Sequence, residues 1–126
     1  MSVFINEKVF CDFMNDKYPL YHFKQGYSLI SINVIHMKPI MSVVYFDGKV
    51  FAGARYNQQM GFFTDSVFFT QEQIQDFSLI RKGLGFEMCI QIVENEQLLP
   101  LKFKLTNYSG AKWHKFNLKN LQLMMG

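Results

Sequence analysis

Met41-Ser-Val-Val-Tyr-Phe-Asp-Gly-Lys-Val-Phe-Ala-Gly-Ala-Arg-Tyr56 is the stretch whose reading decides the fold. Two apolar runs, 41–46 and 49–56, flank Asp47-Gly48. Asp-Gly in that setting predicts a β-hairpin, because a type I′ turn needs positive φ at both central positions. Gly53, inside the second run, marks a bulge or a close backbone approach. The hairpin makes these two strands antiparallel neighbours, and the rest of the chain is read outward from it.

Upstream, Tyr27 to Met37 alternates. Ile30, Ile32 and Val34 share one face and Ser31 and Asn33 the other, as in a strand with one buried face. Lys38-Pro39 ends it. Before it, Asn6 to Lys17 reads as a helix with Val9, Phe10, Phe13 and Met14 on one side, and Pro19 stops it. Downstream come a loop from Asn57 to Gly61, a short apolar segment around Phe62, and a strand from Ser66 to Phe69.

Thr70 opens a predicted second helix. Thr70 and Gln73 have capping-box spacing, and Gly83 stands where a C-cap glycine belongs. Ile74, Phe77 and either Ile80 or Leu84 supply its buried stripe. Phe86 to Val93 then alternates, with Phe86, Met88, Ile90 and Ile92 on one face. Glu94-Asn95-Glu96 turns the chain. Leu99, Leu101, Phe103 and Leu105 line the matching face of the returning strand, and Lys102 and Lys104 share its other face. The end admits two readings: a helix burying Leu118, Leu121 and Met125, or a strand alternating through Leu121, Leu123 and Met125.

This order predicts a single α+β domain over residues 1–126, with an antiparallel β-sheet of about five to six strands and two or three helices packed on one face. It is similar to the order in small secretion chaperones, which pair α+β protomers into dimers; that resemblance is one of fold alone.

The 126 residues suffice for one buried core, and 49% hydrophobic against 18% charged residues excludes a disordered chain. Fourteen Phe, six Tyr and one Trp exceed what so small a core can hide. Lysine outnumbers arginine eleven to two, a bias expected of an AT-rich genome such as a low-GC bacterium, a phage or another mobile element. No apolar stretch is long enough for a membrane helix, and no signal peptide is visible. Cys11 and Cys89 form no motif and are expected as free thiols in a cytoplasmic protein. The triplet Asn107-Tyr108-Ser109 matches a glycosylation acceptor, which means nothing without export.

Chemical motifs are sparse. His22, His36 and His114 each lack a second ligand at metal-binding spacing, so no metal or other cofactor is expected. Arg81-Lys-Gly-Leu-Gly-Phe86 holds two glycines and two cations, but it follows a helix signal, whereas a phosphate loop precedes one. No Ser, Cys or carboxylate has the neighbours of a nucleophile or an acid–base pair. The chain is expected not to be an enzyme.

The charge is uneven. Residues 97–126 carry five lysines and no carboxylate side chain, whereas the preceding ninety-six residues hold eight basic and ten acidic side chains, so the formal net charge of +3 arises in the last quarter. Trp113 sits there between Lys112 and His114-Lys115. Lys102, Lys104, Tyr108, Lys112, Trp113, Lys115 and Phe116 are therefore the expected binding residues. The favoured reading is a small non-enzymatic protein-binding module (an adaptor, an inhibitor or a chaperone) that sets exposed aromatics and this basic segment against an acidic partner protein or pairs as a homodimer. The alternative is single-stranded DNA or RNA binding, with lysines on phosphates and Trp113, Phe116 and Tyr108 stacking on bases.

Overall fold

The structure is a computed structural model and describes residues 5–35, 37–106 and 111–125. Helix α1 (Glu7–Lys17) comes first. Strands β1 (Ser28–Ile35), β2 (Lys38–Phe46), β3 (Phe51–Asn57) and β4 (Phe62–Phe69) follow as a meander. A single 3-10 turn (Gln71–Gln73) leads into a second meander of β5 (Ile74–Lys82), β6 (Gly85–Glu94) and β7 (Gln97–Thr106). Helix α2 (Lys112–Met125) ends the chain. All seven strands belong to one antiparallel sheet in the order β4-β3-β2-β1-β7-β6-β5.

The expected α+β domain of five to six strands under two or three helices is thus overturned. The chain is mostly a seven-stranded antiparallel sheet with one helix before it and one after it. The likeness to α+β secretion chaperones falls with that expectation. The main error lies at residues 70–84. The capping box of Thr70 and Gln73 does form, but it closes only one 3-10 turn. Gly83, at φ 58°, serves the β5–β6 hairpin and not a helix end.

A bulge explains why β5 imitated a helix. Ile74 pairs with Ile92, but Asp76 pairs with Gln91, so Gln75 is an extra residue in β5. After the bulge Phe77 faces Ile90 and Leu79 faces Met88. Ile74, Phe77 and Leu79 therefore share one face although the first two are three residues apart. That spacing is the one a helix would show.

Where no bulge intervenes, alternation predicts the pairing. Phe86, Met88, Ile90 and Ile92 stand opposite Leu105, Phe103, Leu101 and Leu99. At β2–β3 the hairpin forms as expected, with a different turn. Phe46 pairs with Phe51 across four residues. Gly48 has φ 89°, whereas Asp47 has no positive φ. Instead, Asp47 Oδ1 accepts from the amides of Lys49 (2.9 Å) and Val50 (3.1 Å), an Asx turn.

The strand order places β4 and β5 at opposite edges, yet only residues 70–73 separate them in the chain. The sheet must therefore curl back on itself. Phe46 on β2 stacks on Phe77 of β5 at 4.0 Å, and Phe51 on β3 lies 5.5 Å from Phe103 of β7. The concave side encloses an inner core of Leu29, Val44, Phe51, Met88, Ile90 and Leu105, into which α2 sends Leu118 and Leu121. Helix α1 covers the outer side of the first meander with Phe10, Cys11 and Met14 against Ile30, Val43 and Phe63. Helix α1 thus serves the outer core, whereas α2 serves mainly the inner core and adds Trp113 to the outer one. Val43, Val44 and Tyr45 are all buried because β2 has apolar neighbours on both faces. The predicted α1 stripe is rotated: Glu7 and Cys11 are buried with Phe10 and Met14, while Val9 is exposed.

Candidate functional site

The C-terminal segment resolves into a helix, so its lysines and rings can be placed. At 100° per residue, His114, Asn117, Leu118 and Leu121 lie on one side of α2 and are all buried. Lys112, Lys115, Phe116, Lys119 and Leu123 fall on the opposite side and are exposed, with Phe116 at 65% and Leu123 at 73%. Among the described residues, no carboxylate lies within ion-pair distance of these three lysines. The result is a basic ridge with two apolar side chains set into it.

A polar network holds this helix in a fixed rotation. Glu7, only 5% exposed at the first turn of α1, accepts at Oε2 from the amides of Gly26 (2.8 Å) and Ser28 (3.2 Å) and from Asn117 Nδ2 (3.0 Å). Asn117 Nδ2 also donates to the Ser28 carbonyl at 2.9 Å. His114 Nδ1 accepts from the Ile30 amide at 2.9 Å. The Ser28 and Ile30 groups belong to β1 short of Ser31, whose pairing with Leu105 ties β1 to β7. His114 and Asn117, three residues apart on one helix face, supply the partners that a strand would otherwise give them. His114 is therefore occupied as a structural acceptor. Burial, then the charge of Glu7, pushes the Cys11 thiol up to about 12, which leaves it a poor nucleophile.

Trp113 does not join the ridge. It is half-buried against the outer core, and its Nε1 donates to the Ile5 carbonyl at 2.8 Å. Lys102 and Lys104 are exposed on β7, opposite Cys89 and Glu87 of β6. Glu87 also pairs with Lys82 at 3.5 Å, so this strand face carries mixed charge. Their backbone is clamped by Asn33, which accepts from the Lys104 amide (3.1 Å) and donates to the Lys102 carbonyl (3.4 Å). Tyr108, His36 and the Asn107-Tyr108-Ser109 triplet lie outside the described residues. Of the seven expected binding residues, α2 brings together Lys112, Lys115 and Phe116; Lys102 and Lys104 form a separate pair on a strand. Leu123 was missed as a surface residue. Its position eleven residues after Lys112 puts it back on the same helical line, a signal that required choosing helix over strand.

Among the described residues there is no group of three or more His, Cys, Asp or Glu able to hold a metal ion. No described helix is long and apolar enough to cross a membrane.

In fold, the chain is similar to the hSac2 domain from the human phosphoinositide phosphatase Sac2. The two share 10% sequence identity at a TM-score of 0.54, over 97% of this chain and 82% of that one. At that identity the likeness describes the architecture alone. No protein-family model and no curated protein matches the chain.

Proposed function

We propose that the protein is a non-enzymatic binding module that presents the outer face of α2 to an acidic surface on a partner protein. The observation that carries this reading is the ridge itself, in which Lys112, Lys115 and Lys119 alternate with exposed Phe116 and Leu123. Exposed apolar side chains gain by burial, and unpaired cations nearby select an acidic surface and speed encounter. Adaptor, inhibitor and chaperone roles all use such a face. The two free cysteines suit a cytoplasmic setting.

The nucleic-acid alternative has less support. A single-strand platform needs several rings beside its cations. Trp113 is committed to the core, the Lys102 and Lys104 face has Glu87 beside it, and the ridge has one ring, Phe116. A homodimer through α2 is also disfavoured, since a two-fold contact would oppose lysine to lysine.

The test is capture from nuclease-treated extract, followed by calorimetry with the purified captured protein. The triple reversal Lys112→Glu, Lys115→Glu and Lys119→Glu should weaken binding roughly tenfold or more, about 1.4 kcal/mol. Phe116→Ala should do so with little change in salt dependence, and neither variant should shift the melting temperature appreciably. A partner that binds the reversed protein as tightly as the wild type would sink the proposal. So would retention on a single-stranded oligonucleotide that the reversal abolishes.

A further inference from the structure

The inner core is closed at one end by α2 and open at the other. The opening is a cleft of about 350 Å³ between the concave faces of β2–β4 and strand β7. That volume is in the range of small-ligand sites.

Residues directly across from each other on paired strands point to the same face, so the register gives the cleft its chemistry. One row runs Leu29, Val44, Gly53, Val67 from β1 to β4 and is wholly apolar. The next row toward the opening runs Ser31, Ser42, Arg55. Leu101 and Phe103 of β7 face these rows from across the cleft. Gly53 leaves a gap in the apolar row, and a Cβ there would meet the Val43 carbonyl oxygen at 3.1 Å, so the gap is built into the backbone.

Two positions of the polar row differ in their access to the cleft. Ser31 is 1% exposed, and its hydroxyl has no hydrogen-bond partner. Ser31 lies behind the cleft wall, and the serine of this row that lines the cleft is Ser42. Arg55 reaches Asp65 at 3.6 Å, both side chains being at least half exposed. That is longer than a charge-assisted hydrogen bond, and such surface pairs contribute little. Asp65 holds φ 50° at the β3–β4 register shift, a left-handed conformation unusual for a residue with a side chain. The bulge sets its carboxylate at the cleft rim. Ser42 and Arg55 are the donors of this row that line the apolar slot.

We propose that this cleft binds a small amphiphile, with an apolar chain over Val44, Gly53 and Val67 and a carboxylate head on Arg55 and Ser42. The site is independent of the α2 ridge.

The probe is a dansyl-labelled undecanoate, displaced in fluorescence titrations by decanoate, decanol or decylamine. Decanoate should displace it at least about tenfold more effectively than decanol. Arg55→Gln should bring decanoate down to the level of decanol while leaving decanol unchanged. Val67→Trp, at a partly exposed edge position, should fill the slot and abolish both. Circular dichroism of each variant checks that it is folded. Absence of saturable displacement overturns the proposal, as does equal affinity for decanoate and decanol. Preferential binding of decylamine also overturns it, since Asp65 would then be the anchor.

Discussion

Asn117 is the residue on which the attitude of α2 depends. Its amide donates both to Glu7 and to the Ser28 carbonyl, at a site only 3% exposed. Replacement by alanine leaves the carbonyl without that donor and removes one of three donors from a buried carboxyl. Leaving such groups unpaired costs more than the hydrogen bonds contribute, about 2–3 kcal/mol in all. Asn117→Ala should therefore lower the urea midpoint by that stability, with the slope unchanged. Combining it with Glu7→Gln should give a clearly non-additive sum, because the two side chains share one network. Additive losses would mean that the helix is held by Leu118 and Leu121 alone.

At the scale of the element, the β2–β3 turn makes the hairpin sensitive to acid. Burial alone would raise the pKa of Asp47. Hydrogen bonds from the Tyr21 and Tyr45 hydroxyls and from the Lys49 and Val50 amides outweigh it and hold the carboxyl below its ordinary 3.8. A depressed folded pKa stabilises the protein fully above the unfolded value, and that contribution is lost as pH falls through the folded value. Wild type should therefore exceed Asp47→Asn in stability at neutral pH. The gap should narrow below about pH 4 in thermal melts read at each pH. A gap independent of pH would assign the turn's stability to the Asx geometry without the charge. This turn also shows what could be read from residues alone. Asp-Gly located the hairpin, and alternation from Phe86 to Leu105 gave the β6–β7 pairing, because both signals are local. The bulge at Gln75 is set by pairing with β6, and the rotation of α2 by Glu7, more than a hundred residues away. The bulge leaves only a spacing that reads as helical, and the rotation of α2 leaves no local trace. The same limit applied to the binding residues: lysine spacing was visible, but whether Trp113 faced water depended on Ile5.

For the whole molecule, the question is what keeps the curled sheet closed where hydrogen bonds do not. The two meanders are joined by the β1–β7 pairing at Ser31 and Leu105, by α2, and by ring contacts across the inner core. Phe46 and Phe77 are nearly parallel at 10° and 4.0 Å apart, yet their strands stand at separated places in the sheet order. Their contact is therefore a direct report of closure. Offset-stacked rings contribute about 0.5–1.5 kcal/mol beyond the area they bury. A double-mutant cycle of Phe46→Leu and Phe77→Leu should return a coupling of about that size, because leucine keeps most of the apolar volume. Each single variant should also speed amide exchange in β5, an edge strand with β6 as its one strand neighbour, more than in β2, which is paired on both sides. Zero coupling with uniform exchange would mean that α2 holds the sheet closed by itself. The Asn117→Ala variant would then open both meanders together.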